Sequence, residues 1–542
     1  MRARIPVAIR VALEGVQMQV HLFWSRLLTS LLASLACFLS ACGGSSSSSS
    51  GNSVNAVNEW VWMSGANQDN PVPPGAPGPG SAPYNSDPYY GTLGVAGVAN
   101  VPGGRNSAAY WTGVNGNLWL FGGDGLDGSP APIEGLLNDL WEYGPTTNAW
   151  TWMGGSSTLP TADASCLEGP GFCGLPGVYG SLGTPGPSYN PGGRKLALTW
   201  ADSAGNLWLF GGFGIDSAGV LGYLNDLWKF NPSTKEWAWI SGNMSSGQVG
   251  VYGAQGVADP GNVPPGLFGG TGWIDTNGKM WLFGGSGTTS TGVQGYYFNN
   301  LWQFDPSSNE WTWMSGAGAA TGPAYGIYGT VGISAPGNIP SGRSGGTGWT
   351  DSSGNMWLFG GYGLYPQSQG TGSENDLNDL WEFTPSSNQW TWIAGTAGGV
   401  PNSYGNPGPP PGSYGTLGVA SASNFPGGRD GATGWADSAG NLWLFGGEGN
   451  DSTGNWGPLN DLWEFSRADN QWTWVGGDNT SWQGAVYGAE GTPAAGNIPG
   501  ARYNAAAWKD SGGSFWLFAG WGILDGPTGG STALNDLWRY QP

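Results

Sequence analysis

The run Leu442-Trp443-Leu444-Phe445 is apolar at every position, the pattern of a short strand buried on both faces. Further on, Leu462-Trp463-Glu464-Phe465 and Gln471-Trp472-Thr473-Trp474 begin to alternate, as outer strands with one wetter face do. Ahead of the apolar run lies Asp430-Gly431-Ala432-Thr433-Gly434-Trp435, rich in small residues that suit an innermost strand crowded about an axis. Asp437-Ser438-Ala439-Gly440-Asn441 reads as a tight hairpin turn, with Gly or Asn supplying the positive φ. Ser466 to Asn470 is a second short turn. One four-stranded antiparallel sheet is predicted here.

The same pattern recurs along the chain. Trp-Leu-Phe-Gly-Gly begins at Trp119, Trp208, Trp281, Trp357 and Trp443, with a near copy at Trp516. An Asn-Asp-Leu-Trp-like phrase follows each copy and ends at Trp141, Trp228, Trp302, Trp381, Trp463 and Trp538. A Trp-x-Trp phrase completes all but the last unit, which stops at Arg539-Tyr540. The missing piece stands at the other end of the chain, as the orphan Trp60-Val61-Trp62. An open solenoid caps its ends and has no use for that offset, whereas a closed ring pairs the orphan strand into the last unit. The expected fold is an all-β, six-bladed β-propeller whose last blade is closed by the N-terminal strand. Its blades fall at about 101–155, 190–242, 263–316, 339–395, 425–477 and 499–542 plus 59–65.

These phrases resemble kelch repeats: a Gly-Gly doublet ends the second strand, and Trp recurs at fixed places on the outer strands. The resemblance covers roughly Glu59 to Tyr540 and is similar to bacterial kelch-type exported proteins and galactose-oxidase-like propellers. Length is the departure, since successive Trp-Leu-Phe-Gly-Gly phrases lie 73 to 89 residues apart, against about 50 for an ordinary kelch repeat. The excess sits in the blade-to-blade segments, such as Gly65 to Val101 and Gly155 to Pro191, and in the second-to-third-strand loops. Those joints share one face of a propeller, so one face is trimmed and the other decorated. Each long segment carries a Tyr-Gly phrase (Tyr90, Tyr179, Tyr252, Tyr328, Tyr414, Tyr487), which marks it as ordered. A binding function belongs on the decorated face.

Residues 1–42 do not read as part of the fold. Arg26 precedes an apolar run, Leu27 to Ala41, that is short for a membrane span. It ends in Leu39-Ser40-Ala41-Cys42-Gly43, which resembles the lipobox of bacterial lipoproteins and implies cleavage before Cys42 and lipidation of its thiol. An ordinary cleaved signal is the alternative, and Met18 is a second candidate start. Residues 43–58 are a Gly/Ser-rich tether. This predicts an exported, membrane-anchored protein of the cell envelope, attached through its N-terminal lipid alone and monomeric. Cys166 and Cys173, seven positions apart in a Gly/Pro-rich loop, are expected to form a local disulfide, with a metal pair as the alternative. The formal charge is −20, so a phosphate backbone is a poor partner and no nucleic acid is expected.

The sole histidine, His21, lies within residues 1–42. Its loss would remove most routes to general-base and metal chemistry from the mature chain, and no catalytic residue, metal or cofactor is expected. Copper oxidase chemistry, which the galactose-oxidase resemblance raises, needs His ligands and is not expected.

Arg105, Arg194, Arg343, Arg429 and Arg502 each stand six residues before the Trp that ends an innermost strand. They form a candidate ligand-binding ring for anions at the channel mouth. The other reading is that each braces its blade against the Asp of the Asn-Asp-Leu-Trp phrase. The third unit loses both partners, with Leu267 and Asn300 in their places, as a paired contact predicts. Asp202, Asp275, Asp351 and Asp437 are off the register of sialidase Asp boxes and read as turn residues. Gly123-Asp124-Gly125-Leu126-Asp127 is acidic but lacks the twelve-residue calcium pattern. Trp456, Trp482 and Trp521 lie outside the repeat and suit either sugar stacking or loop packing. Two functions follow: a non-enzymatic module for an envelope protein or glycan, or an exported sugar epimerase similar to kelch enzymes acting on sialic acid.

Overall fold

Each Trp-Leu-Phe-Gly-Gly phrase forms the second strand of a four-stranded antiparallel sheet in the computed structural model. The model describes residues 58–67, 86–160, 173–318, 323–365, 374–398, 400–401, 407–524 and 531–542. Residues 1–42 with Cys42, the tether up to residue 57, and Cys166 lie outside the described residues. In the fifth blade the order is Thr433–Ala436, Leu442–Phe445, Leu462–Ser466 and Gln471–Gly476. Trp435 faces Trp443, Leu444 faces Trp463, and Trp463 faces Trp474 across the ladders. Among the described residues there are six such sheets and no helix, hence no helix long and apolar enough to cross a membrane.

The sixth sheet takes its outer strand from the beginning of the chain. Trp60–Ser64 pairs antiparallel with Leu537–Tyr540, placing Trp60 opposite Tyr540 and Trp62 opposite Trp538. Six inner-strand indoles then link blade to blade. Trp111, Trp200, Trp273, Trp349, Trp435 and Trp508 donate to the carbonyls of Trp208, Trp281, Trp357, Trp443, Trp508 and Trp119. The last of these bonds returns to the first blade and closes the ring.

A second closed cycle lies on the axis. Each innermost strand is broken after two residues by one residue in the left-handed region: Ser107, Leu196, Gly269, Gly345, Gly431 and Asn504, with φ between 52° and 67°. Their backbones bond in sequence around the channel. Leu196 N–H donates to Ser107, Gly269 to Leu196, Gly345 to Gly269, Gly431 to Gly345, Asn504 to Gly431, and Ser107 to Asn504, all within 3.0 Å. Only three of the six are glycine, so the cycle holds Leu, Ser and Asn in a conformation that costs such residues about 1 kcal/mol. The cycle satisfies one N–H and one C=O per blade that the break would otherwise orphan.

The hydrophobic core lies between blades. Trp208, Phe210 and Leu227 of the second blade pack on Met280, Leu282, Trp302 and Trp311 of the third. Trp60, Trp538 and Tyr540 of the sixth pack on Trp443 and Phe445 of the fifth. Second strands are buried throughout because a neighbouring blade covers each face, which explains their unbroken apolar runs. The connectors cover the outer edges: the N–H groups of Gly94, Gly183, Gly256, Gly332, Gly418 and Gly491 donate to carbonyls of outer-strand Trp residues. Each exposed edge is thereby occupied by its own chain.

Trp60 is 5% exposed and sits at the closure. Trp60→Ala should lower folding stability by about 3–5 kcal/mol, the range for truncating a buried aromatic. Chemical unfolding that finds a loss below about 1 kcal/mol would show that the N-terminal strand does not hold the ring shut.

Candidate functional site at the axial mouth

The five arginines lie near the channel mouth but turn away from it. Each guanidinium is buried and grips one Asp through both terminal nitrogens: Arg105 on Asp139, Arg194 on Asp226, Arg343 on Asp379, Arg429 on Asp461 and Arg502 on Asp536. The distances run from 2.6 to 2.8 Å. The remaining donors are also engaged, as Arg429 shows: its Nε reaches Gly427 O and its Nη1 also reaches Gly446 O. With their donors spent inside the blade, these groups have little left for an anion in the channel.

Two further donors complete each aspartate. Tyr90, Tyr179, Tyr328, Tyr414 and Tyr487 donate their hydroxyls at 2.5 to 2.9 Å. Trp141, Trp228, Trp381, Trp463 and Trp538 donate their indoles at 2.6 or 2.7 Å. The Tyr-Gly phrase of each connector is thus a plug that ties the decorated loop into the blade. Burial works against the Arg429 charge, but Asp461 outweighs it and the guanidinium ends above its usual value. Burial, then the charge of Asp461, holds the Tyr414 phenol far above its usual value. The third blade is neutral: Leu267 is buried, Asn300 donates to Tyr252, and the Trp302 indole finds no acceptor among the described residues.

Other sequence candidates also have places. Asp202, Asp275, Asp351 and Asp437 each hold their own hairpin, Oδ1 accepting from the backbone four residues on and Oδ2 from the following Trp indole. Asp127 accepts backbone N–H groups from Ile133 and Leu159, so it pins loops. Among the described residues no group of three or more His, Cys, Asp or Glu is placed to hold a metal. Cys173 is disulfide-bonded.

The rim of the mouth is formed by positions at which the repeat breaks. One set immediately precedes the axial cycle: Asn106, Lys195, Phe268, Ser344, Asp430 and Tyr503. Opposite them on the second strands stand Asp124, Phe213, Ser286, Tyr362, Glu448 and Trp521. Third-strand Tyr223, Tyr297 and Asp376 complete the ring, paired to Phe213, Ser286 and Tyr362. Phe213, Tyr223 and Phe268 are mutual neighbours with centroids 5.4 to 6.2 Å apart, and Tyr297 lies 5.7 Å from Tyr362. All five rings are partly exposed. Trp456 is 52% exposed and donates its indole N–H to Asp376 Oδ2 at 3.0 Å. Trp482 covers Gly457, where a Cβ would fall 2.1 Å from the indole nitrogen. Below the cycle the channel holds a cavity of about 350 Å³ walled by inner-strand residues, among them Tyr110 and Thr199.

One sector of the rim is acidic. Burial pushes Glu448 up to about 7. Burial also raises Asp376 to about 7, with Glu448 adding to it against the Trp456 N–H and Arg429. Burial, then Asp376 and Glu448, hold Asp430 well above the usual carboxylate range. Across the rim, Lys195 pairs with Asp124 at 2.7 Å. Sequence reasoning offered the arginines as an anion ring or as braces against the Asp; they are braces, and the lining of the mouth was missed. The available signal was the variation from Asn106 to Tyr503 at the position directly after the recurrent Arg.

No family model matches the chain. Curated relatives include N-acetylneuraminate epimerases of Escherichia coli K12 and Shigella flexneri, each 28% identical over 206 residues. These matches cover 32% of this chain, which spans about half, 53%, of each relative's length. Among solved structures, one titled "Structure of YjhT" is 16% identical, covers 81% of this chain and 95% of its own, and has a TM-score of 0.43. The sheets and their closure define a β-propeller.

Arg429→Leu should cost about 3–5 kcal/mol by stranding the buried Asp461 carboxylate. Arg429→Leu with Asp461→Asn, which copies the third blade, should recover more than about 1 kcal/mol of that loss. Urea unfolding that finds the double variant no more stable than the single would refute the brace. The rim acids give a pH signature of opposite sign to an ordinary ion pair. Between an unfolded pKa of about 4 and the folded value, the native state holds the extra proton, so stability falls as pH rises. Glu448→Gln should therefore gain on the parent by about 1 kcal/mol at pH 8 relative to pH 5, after allowance for partial exposure. An equal difference at both pH values would contradict the raised carboxyl.

Proposed function

We propose that this chain is an envelope-displayed propeller that binds a glycan, without turnover, at the axial mouth of its decorated face. One observation carries the reading: at the rim, Asn106, Lys195, Phe268, Ser344, Asp430 and Tyr503 and their strand partners vary from blade to blade toward partly exposed aromatic rings and carboxyls. Tyr223, Phe268, Tyr297, Tyr362 and Trp456 offer flat apolar faces, and the neighbouring carboxyls offer hydroxyl acceptors, the mixture a polyhydroxylated ring requires. In this reading Cys42 carries the lipid, residues 43–58 are the tether, and the protein acts as a monomer in the envelope. An envelope protein is the alternative partner, and nucleic acid is disfavoured by the acidic charge.

A second reading, a sugar epimerase, has specific support in the name shared by the sequence relatives. Carboxyls poised near pH 7 at the mouth suit proton transfer to and from a sugar ring. The acidic sector does not favour an N-acetylneuraminate carboxylate, and the buried arginines offer it little compensation.

A glycan array followed by calorimetry on the hits tests the first reading. Tyr297→Ala should weaken binding about tenfold, the usual effect of truncating an aromatic anchor, with little change in melting temperature. No glycan bound, or a Tyr297→Ala variant of full affinity, would remove the site from this role. Accelerated anomeric exchange of N-acetylneuraminate, read by NMR, would favour the second reading.

A further inference from the structure

We infer that Trp456 and Trp482 form an outer subsite for the same glycan, a platform on which a chain leaving the axial mouth stacks its next sugars. This deepens the proposed function and rests on it. The ligand class is a β-1,4-linked chain of equatorially substituted pyranoses.

The backbone of Trp482 carries the inference. Its φ is 65°, in the left-handed region, where a bulky residue is an outlier. The connector after the second blade makes the same turn with glycine. There Gly247 has φ 70° and donates its N–H to Tyr223 O, as Trp482 donates to Pro458 O. Just before it, Ser246 N–H bonds Asp216 as Ser481 N–H bonds Asp451. The turn therefore asks for glycine, and the fifth-blade connector holds an indole there under strain. Packing does not account for it. Trp482 is 40% exposed, and at Gly222, the second-blade equivalent of Gly457, a Cβ would meet only the small side chain of Ser246 and the Gly247 nitrogen.

Both indoles are tied by their edges. Trp456 Nε1 donates to Asp376 Oδ2 at 3.0 Å, and Trp482 Nε1 donates to Trp456 O at 3.2 Å. The exposed surface of each ring is thus mainly carbon. The turn beneath Trp482 is held on both sides: Ser481 gives its N–H and hydroxyl to Asp451 Oδ2, and Gln483 O accepts from Ala501 N–H. A platform already in place costs little ordering on binding.

The platform is continuous with the mouth. Asp376 pairs with Tyr362 on the rim, so the contacts run outward from Tyr362 through Asp376 and Trp456 to Trp482. Two indoles in succession fit an extended chain better than a single ring. A pyranose stacks on an indole through its axial C–H bonds, and equatorial hydroxyls and linkages leave those faces clear.

Calorimetry on the intact protein, with β-1,4-linked glucose and N-acetylglucosamine oligomers of two and six units, tests the inference. In at least one series the hexamer should bind at least about tenfold more tightly than the dimer. Trp482→Gly, which copies the second blade, should bring the hexamer to within about threefold of the dimer. The same variant should melt no more than about 3 °C below the parent. A larger fall would make the indole a packing residue and overturn the subsite. A hexamer no tighter than the dimer, or a preference unchanged in Trp482→Gly, would also overturn it while leaving the mouth intact. Binding of other array glycans but of neither series would refute the ligand class. Binding of no glycan would overturn this inference and the proposed function together.

Discussion

One buried aspartate carboxylate in each of five blades gathers three parts of the chain that would otherwise be independent. Asp461 accepts two bonds from Arg429 on the inner strand, one from Trp463 on its own strand, and one from Tyr414 on the incoming connector. A charge so placed is tolerable only when every partner is present, because removing one leaves an uncompensated ion in a dry interior. That all-or-none character explains why the third blade departs at both positions, with Leu267 and Asn300 replacing the pair. It also explains why the connectors are ordered despite their length and glycine content. Each is bolted down by its tyrosine and pinned again where its glycine meets the outer strand.

The braces hold blades together internally, and closure holds them to one another. The indole bonds and the axial backbone cycle both return to their starting blade, so each blade's position constrains the next all the way around. Cycle and brace also divide the surface into fixed and free positions. Arg429 is committed to Asp461 and Gly431 to the cycle, but Asp430 between them answers to neither and stands over the channel. Every blade contributes one residue at the same register that neither brace nor cycle holds, though Lys195 is paired with Asp124. A rigid frame with a variable rim can change its ligand without endangering its fold.

The electrostatics of that rim separate the chain from what the names of its relatives suggest. Those relatives are called N-acetylneuraminate epimerases, and their sugar is an anion. Here the cations near the mouth are engaged, Lys195 with Asp124 and the arginines with their aspartates, while Asp376, Asp430 and Glu448 crowd one sector.

The repeat was legible in the sequence because burial dictates composition. A second strand covered on both sides must be apolar throughout, as Leu442 to Phe445 is, and an inner strand must be small. The offset of Trp60-Val61-Trp62 from Arg539-Tyr540 announced closure, because an unpaired strand at each end is the alternative. The loss of Arg and Asp together in the third unit marked their pairing within a single line of text. Two things needed the folded chain. One is that Tyr90 and its five counterparts reach back into the blade, a contact set by the path of long connectors and by no local spacing. The other is the mouth, where Asp376, Asp430 and Glu448 come from different strands and two blades. Their shared burial and raised proton affinity arise from an arrangement in space that residues 54 and 18 positions apart do not encode locally.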